Sequence, residues 1–304
     1  MNKVQILDCT LRDGGYYTNW HFEKRLVQKY LDSMSDLGID IVELGFRFFN
    51  KDTSKGKHAY TDDDYISKLN IPKNLNIAVM INASDFINCK NIEDCINNLF
   101  PINTKINLIR IAAHYHELKY LNKIISALKK KKFKVGLNLM QISNYTNLNI
   151  DTVFRKIKTN DIDYIYLADS LGSMKEKDII KKIKYFKTKW KKKIGVHTHD
   201  NQYCAVSNTI TAVNYGANIV DSTVMGMGRG PGNAKTEIIV EYYKKISKLK
   251  YEKFLNFISK YFQPLLMKYK WGSNLYYYLS GKYKIHPSYI QEILNKPQNN
   301  HESI

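Results

Sequence analysis

Eight short apolar segments recur along the chain, and each is followed by a segment with helical periodicity. The strands are predicted at residues 4–8, 39–46, 76–81, 107–112, 134–140, 164–168, 193–197 and 218–224. The helices are predicted at residues 21–37, 62–69, 92–99, 116–132, 152–159, 175–190, 203–215 and 234–246. Continuous apolar runs are typical of parallel strands buried on both faces. Eight such units predict an α/β fold, a (β/α)8 TIM barrel.

The first strand–helix connection argues against the main alternative, a doubly wound open sheet. Such a sheet would favour a GxGxxG phosphate fingerprint after the first strand, whereas the chain has LRDGGYY there. We predict an irregular loop from residue 9 to residue 20. Residues 1–250 are expected to form the catalytic barrel. Residues 251–304, rich in Tyr and Phe, are expected to form two or three helices that cap or dimerise the barrel.

The net charge of +19 raises the question of nucleic-acid binding, because a basic surface can bind phosphate. Only six of the 47 basic residues are arginine, however, and readers of bases and phosphates favour its bidentate fork. We therefore expect a solvated lysine surface, with attraction of an anionic substrate still possible. No apolar run is long enough to span a membrane.

The cysteines and the N-terminal segment bear on the compartment. The four cysteines form no CxxC pair, which favours a reducing cytoplasm over a disulfide scaffold. The first residues have no apolar core or cleavage site of a secretory signal. A cytoplasmic location is the expectation.

Polar side chains gather at the predicted C-terminal ends of the strands, where catalytic groups of such barrels lie. These candidates are Arg12, Asp13, Glu43, Arg110, His114, Asp169, Ser170, His197, His199, Arg229 and Asn233. Among them, Arg110, Asp169, Ser170 and Arg229 are predicted to contact substrate.

His197 and His199 form the sharpest local signal. Residues two apart on an extended strand point the same way, so both imidazoles can reach one ion, although two histidines in a solvated loop are the plainer alternative. We place Asp13 at the end of the first strand, which neighbours the eighth in a closed barrel, and expect it to supply a carboxylate. Two imidazoles and one carboxylate leave positions open on an octahedral ion, which suits Mn²⁺, Co²⁺, Mg²⁺ or Fe²⁺ better than a closed zinc site.

Two further residues are expected to support that site. Arg12 either braces the barrel mouth through an ion pair with Glu43 or Asp169, or holds an oxyanion beside the metal, and both roles are compatible. Asn233 is expected to cap the last barrel helix, and contact with the metal is its alternative role.

Four segments together resemble the DRE-TIM metallolyase superfamily, also called the HMG-CoA-lyase-like or pyruvate-carboxyltransferase-domain family. They are TLRDGG, VELGF, HTHDN and GMGRGPGNAKTE, and the resemblance extends over residues 4–245. IRIAAHYHE and YLADSLGSM are most similar to the 4-hydroxy-2-oxovalerate aldolase subgroup. The resemblance implies that Asp13, His197 and His199 bind a divalent metal, in some members with Asn233. It also implies that Arg12 stabilises a pyruvyl enolate and that Glu43 completes the Asp-Arg-Glu set.

The chain departs from the family at the proton-transfer residue. The residue aligned with the catalytic histidine of the aldolase subgroup is Tyr16, and a phenol serves as acid or base only if its pKa is strongly perturbed. Tyr17 and His21 are the alternatives. The glycine loop has Arg229 and lacks the cysteine of HMG-CoA lyases, which argues against HMG-CoA cleavage.

The function implied is a metal-dependent aldolase, a carbon–carbon lyase that acts through the enolate of a 2-oxo acid with an aldehyde partner. Mn²⁺ is the preferred ion, with Mg²⁺, Co²⁺ or Zn²⁺ as alternatives. An acyl-CoA-condensing synthase of the isopropylmalate-synthase type is a rival, disfavoured because the chain has no room for the long regulatory domain. A non-catalytic binding barrel is the other rival. A homo-oligomer that binds neither nucleic acid nor membrane is expected.

Overall fold

Eight parallel strands close into a barrel in the order of the sequence. The computed structural model describes residues 4–101 and 104–294. The strands are β1 (Gln5–Asp8), β2 (Ile41–Phe46), β3 (Asn76–Asn82), β4 (Leu108–Ala113), β5 (Lys134–Leu139), β6 (Tyr164–Asp169), β7 (Lys193–Thr198) and β8 (Ile219–Ser222). Closure occurs between the first and last strands, where Gln5 pairs with Ile219 and Asp8 with Ser222. The predicted TIM barrel is confirmed.

Amphipathic helices surround the barrel and bury one face against it. The barrel helices are α3 (Lys24–Asp36), α4 (Asp63–Ser67), α5 (Ile92–Leu99), α6 (Leu118–Lys130), α7 (Asn147–Lys156), α8 (Glu176–Lys189), α9 (Ala205–Asn214) and α10 (Thr236–Tyr243). The largest difference from the predicted bounds is at α7, which begins five residues earlier than expected. There the Thr146 hydroxyl accepts a hydrogen bond from the amide of Asn149, whose side chain accepts from the Thr146 amide, and this reciprocal cap starts the helix.

The segment after β1 is not the irregular loop that the sequence predicted. It contains two one-turn helices, α1 (Thr10–Asp13) and α2 (Gly15–Thr18). The Asp8 carboxylate accepts hydrogen bonds from both the amide and the hydroxyl of Thr10, which fixes the direction in which the chain leaves the strand. Asp13 therefore lies on a helical turn, one turn beyond the strand end where the sequence placed it.

The C-terminal segment lies on the rim of the barrel. Its described part contains α11 (Lys248–Phe257), a π-helical turn, α12 (Gln263–Tyr269), α13 (Leu275–Tyr283) and α14 (Pro287–Leu294). The sequence predicted two or three helices here, and the described part has four α-helices. The Nδ2 of Asn201, beyond β7, donates to the Ser280 hydroxyl at 2.8 Å, and the Ser273 hydroxyl donates to the Asn201 carbonyl at 2.8 Å. The segment therefore covers part of the mouth where the strands end.

Among the described residues, none of the helices has the length and apolar character needed to cross a lipid bilayer.

Candidate active site

Arg12 and Asp13 enter the barrel mouth from α1, directly after β1. The Nη1 of Arg12 lies 3.0 Å from Asp13 Oδ1, and its Nε donates to Glu43 Oε2 at 2.7 Å. All three side chains are buried. Of the two ion pairs considered for Arg12, the structure has the one with Glu43. Two buried carboxylates thus hold one guanidinium, which fixes its orientation.

His197 stands at the centre of the cluster. Its Nδ1 lies 2.9 Å from Asp221 Oδ2, while its Nε2 faces Asp13 Oδ2 at 3.4 Å and Asn233 Nδ2 at 3.2 Å. The sequence prediction missed Asp221. Its one available signal was an acidic residue in the middle of the apolar strand β8. A metal-binding histidine commonly donates its other ring N–H to a carboxylate, which orients the ring, and Asp221 is placed to accept that bond from Nδ1.

His199 and Asn233 lie next to each other beyond the strands, paired in an isolated bridge. The His199 ring centroid is 5.1 Å from that of His197. Asn233 is not the helix cap that the sequence predicted, because α10 begins at Thr236 and is preceded by Lys235. Instead its Nδ2 donates to the Thr198 carbonyl at 3.3 Å, which aims the amide oxygen into the cluster.

Five buried polar atoms of Asp13, Glu43, His199, Asp221 and Asn233 have no hydrogen-bond partner within residues 4–101 and 104–294. Asp13 Oδ2, His199 Nδ1 and Asn233 Oδ1 are the three that belong to predicted metal ligands. Unpaired buried polar groups are costly, and a cation bound by these three atoms would satisfy them. A Cβ at Gly228 would collide with Asn233 Oδ1 and would lie 3.2 Å from Asp13 Oδ2, so glycine keeps this space open. The donor types fit a divalent metal, and Asp13 and His197 place donor atoms within 4.8 Å of each other, whereas His199 belongs to no group of three His, Cys, Asp or Glu donors at that distance among the described residues.

The Cys9 thiol is a further neighbour that the sequence reasoning did not include among the candidates. Its sulfur, one Asp13 oxygen and one His197 nitrogen all lie within 4.8 Å of one another. Burial raises the pKa of this thiol well above its usual value, and a protonated thiol is a poor ligand. The oxygen and nitrogen donors are therefore the better ligands.

Ionisation favours cation binding at two of the donors. Burial raises the pKa of Asp13, but the Arg12 charge and the neighbouring His197 ring outweigh it and hold that pKa well below its usual value. Burial lowers the pKa of His199 well below its usual value, so the ring is neutral and offers a lone pair. For His197, burial lowers the pKa, but the adjacent carboxylates of Asp13 and Asp221 raise it more. A proton and a cation therefore compete for this imidazole.

Arg110 lies inside the barrel rather than at its mouth. It donates to Glu43 Oε2 at 3.1 Å and to Asn138 Oδ1 at 3.2 Å, it pairs with Asp221, and it stacks 4.1 Å from the Tyr166 ring centroid. Its side chain is fully buried. The structure thus gives it a bracing position that links Glu43 to Asp221, and through them Arg12 to His197.

Glu43→Gln is expected to lower the free energy of unfolding by about 3 kcal/mol, because Glu43 Oε2 accepts from both Arg12 and Arg110 in a buried site. Denaturant unfolding would measure the loss. The control is Glu93→Gln, whose partner Lys130 is exposed, and it should change stability by less than about 1 kcal/mol. Equal stability of the two variants would contradict the bracing role.

The three candidates for proton transfer have different surroundings. Tyr16 packs edge-on against Trp20 and Phe46 at 5.0 and 6.2 Å between ring centroids. The Tyr17 hydroxyl donates to the Gly230 carbonyl at 2.8 Å, and burial raises its pKa. His21 is exposed and bonds to the Ser54 carbonyl at 3.0 Å. Within the described residues, no hydrogen bond joins Tyr16, Tyr17 or His21 to the donor cluster.

The remaining predicted substrate residues differ in whether their polar atoms already have hydrogen-bond partners. Asp169 accepts from the amides of Ser173 and Met174, which shapes the turn after β6, and burial raises its pKa to about 6. The Ser170 hydroxyl accepts from the Gln141 amide at 3.0 Å. Arg229 extends from the glycine loop and lies 5.3 Å from the Tyr16 ring centroid. Only Arg229 of these three keeps a buried donor without a partner, its Nε, within the described residues.

Oxygen and nitrogen donors beside a fixed guanidinium at the C-terminal mouth of a TIM barrel have the chemistry that a metal-dependent carbon–carbon lyase needs. The HMGL-like family model matches residues 3–252, and the chain belongs to this family. HMGL-like aldolases depend on divalent metals, the aldolase relatives act on small 2-oxo acids, and the resemblance inferred from the sequence is confirmed.

Individual relatives agree with that assignment. A 4-hydroxy-2-oxovalerate aldolase of Pelotomaculum thermopropionicum is 27 % identical over 246 residues, which cover 80 % of this chain and 70 % of the relative. An oxaloacetate decarboxylase of Mycobacterium tuberculosis is 23 % identical over 238 residues, which cover 77 % of this chain and 68 % of that relative.

Solved structures show the same fold. The N-terminal domain of a candidate aldolase from Bacteroides vulgatus superposes with a TM-score of 0.86 at 32 % identity, covering 97 % of both chains. The Bacillus subtilis HMG-CoA lyase superposes with a TM-score of 0.69 at 17 % identity, covering 89 % of this chain and 95 % of that one, and supports the fold alone.

Proposed function

We propose that this chain is a divalent-metal-dependent aldolase that makes or breaks a carbon–carbon bond between a pyruvyl unit and an aldehyde. The observation that carries the proposal is the set of unpaired atoms on Asp13, His199 and Asn233 beside Arg12. Mn²⁺ is the ion we propose, because an open site of oxygen and nitrogen donors suits an octahedral ion. The relatives named as 4-hydroxy-2-oxovalerate aldolases support the same reaction class.

The chemistry requires removal of a proton from the methyl carbon of the 2-oxo acid, which leaves an enolate. When bound, a divalent cation supplies Lewis-acid stabilisation of the charge that develops on the substrate oxygens. Arg12 adds a fixed positive charge there, held in place by Glu43 and Asp13. The enolate carbon then bonds to the aldehyde carbon, and the alkoxide formed takes up a proton. Cleavage is the reverse of these steps.

An aldehyde screen tests the proposal. The metal-loaded protein is incubated with pyruvate and a panel of aldehydes, and products are read by mass spectrometry. We expect a 4-hydroxy-2-oxo acid whose mass is the sum of pyruvate and one aldehyde. The aldolase assignment would be contradicted if no adduct forms from pyruvate and any aldehyde and if no 4-hydroxy-2-oxo acid is cleaved. An adduct formed only with an acyl-CoA would point to the condensing-synthase class instead.

Tyr16 is the residue we propose for proton transfer, because Tyr17 and His21 already bond to backbone carbonyls. Tyr16→Phe removes only the hydroxyl, and we expect exchange of the pyruvate methyl protons with D₂O to slow about a hundredfold. NMR measures this rate. Tyr203→Phe, at an exposed position, is the matched control. Normal exchange in Tyr16→Phe together with a large loss in His21→Ala would assign the role to His21.

Self-association is proposed through the C-terminal helices. Several of the large exposed apolar side chains of the described residues lie on them, among them Leu249, Met267 and Leu275. Sedimentation velocity measures the mass, and a monomer at micromolar concentration would contradict the proposal. A reducing compartment, the cytoplasm, is proposed because all four cysteines are free.

A further inference from the structure

Arg229 differs from Arg12 at the barrel mouth and from Arg110 inside the barrel. Arg12 and Arg110 each pair with two carboxylates. Within residues 4–101 and 104–294, Arg229 has no carboxylate within ion-pair distance, and its buried Nε has no hydrogen-bond partner. A half-buried guanidinium that lacks a counter-charge favours an anionic ligand.

The C-terminal segment brings an imidazole to the same loop. The Gly230 amide donates to Gln291 Oε1 of α14 at 3.2 Å, and a Cβ at Gly230 would lie 3.0 Å from Pro287. The start of α14 therefore rests on the residue next to Arg229. His286 immediately precedes Pro287, which places its ring at this rim.

His114 is a second imidazole, at the end of β4, and its ring stacks on His116 at 5.7 Å between centroids. Burial lowers the pKa of both His114 and His286, the latter to about 4, and the Arg229 charge lowers each further. Both rings are therefore neutral near pH 7. A neutral imidazole still has one N–H to donate to an anion, while Arg229 supplies the permanent charge.

Two aromatic rings, Phe46 and Tyr16, connect Arg12 to Arg229. The Arg12 guanidinium lies 5.8 Å from the Phe46 ring centroid, Phe46 packs on Tyr16, and Tyr16 carries Arg229 on its face. The pyruvyl end of a substrate belongs beside Arg12 and the metal donors. An anion at Arg229 would thus be separated from Arg12 by the Phe46 and Tyr16 rings, at the more exposed of the two guanidinium groups.

We propose that Arg229, with His114 and His286, binds a carboxylate or phosphate at the far end of the aldehyde substrate. The proposal rests on the aldolase function proposed above, and it predicts a preference for anionic aldehydes over neutral ones. The alternative is that Arg229 only braces the glycine loop by stacking on Tyr16.

The test compares matched aldehydes with pyruvate. Glycolaldehyde phosphate is paired with glycolaldehyde, and 4-oxobutanoate with butanal. The quantity measured is the ratio of kcat/KM for the anionic member to that for the neutral member, in which any effect on the shared enolate step cancels. We expect Arg229→Gln to lower the ratio at least about tenfold, Arg229→Lys to lower it less, and His286→Gln to lower it by a smaller factor.

Arg155→Gln, at an exposed arginine, is the control and should leave the ratio unchanged. If Arg229→Gln lowers the ratio for only one pair of aldehydes, the anion of that pair, phosphate or carboxylate, is the one that the site binds. An equal loss for anionic and neutral aldehydes in Arg229→Gln would overturn the proposal, because it would place Arg229 at the pyruvyl end or in a purely structural role. Normal ratios in both Arg229 variants would overturn it as well.

A binding measurement separates this proposal from the aldolase proposal. Calorimetry with glycerol 3-phosphate, butyrate and glycerol needs no turnover. If the wild-type protein forms no adduct with any aldehyde but binds one of the anions in an Arg229-dependent way, the anion site stands and the aldolase function falls. If neither anion binds more tightly than glycerol, the anion site is contradicted whether or not the enzyme is an aldolase.

Discussion

His197→Ala is expected to lose bound divalent metal and all metal-dependent exchange of pyruvate protons, while the barrel remains folded. His197 lies between Asp13 and Asp221, and its removal takes away a donor nitrogen from the centre of the cluster. The fold should persist because Asp221 keeps its ion pair with Arg110. Metal analysis of the purified protein and circular dichroism measure the two outcomes.

The matched control for this prediction is His116→Ala, whose side chain is 75 % exposed. It should retain the metal. Asp13→Asn should resemble His197→Ala, because an amide oxygen replaces the charged carboxylate oxygen. Metal content in His197→Ala equal to that of the wild type would refute the assignment of the site.

Arg12→Lys is expected to lower the rate of pyruvate proton exchange about a thousandfold, or about 4 kcal/mol, although the positive charge is kept. The planar guanidinium bonds Asp13 and Glu43 at the same time, and a single ammonium cannot reproduce that fork and also face an oxyanion. Metal binding should survive, since Arg12 is not a donor. NMR of the exchange reaction measures the rate.

The exposed Arg155 provides the control for this substitution, and Arg155→Lys should exchange at the wild-type rate. A rate for Arg12→Lys within about threefold of wild type would show that the charge alone suffices. The orientation of Arg12 by Glu43 would then have no catalytic value.

The sequence predicted the barrel because each strand is a continuous apolar run and each helix has an apolar stripe. It predicted the neighbourhood of Arg12, Glu43 and His197 because strand ends meet at one mouth. It misplaced Asp13, because Thr10 donates hydrogen bonds to the Asp8 carboxylate and the chain then turns into a short helix that no sequence periodicity predicts. It missed Asp221, because a lone acid in an apolar strand reveals its partners only when the barrel closes.

The role of the C-terminal helices also required the structure. Their aromatic residues were compatible with a cap or a dimer interface, and nothing in their spacing showed which surface they cover. Hydrogen bonds from Asn201 to Ser280 and from Gly230 to Gln291 place them over the mouth. Such contacts join residues about 60 to 80 positions apart and are invisible to local patterns.

The central claim is that Asp13, His197, His199 and Asn233 form a divalent-metal site that supports enolisation of a 2-oxo acid. Its most direct test is the exchange of pyruvate methyl protons with D₂O by the wild-type protein, followed by NMR after chelation and again after stoichiometric Mn²⁺ is added. The account predicts negligible exchange in the chelated protein and recovery that saturates with added metal. Exchange that is equally fast in the chelated protein, or that stays absent at every metal concentration, would contradict it.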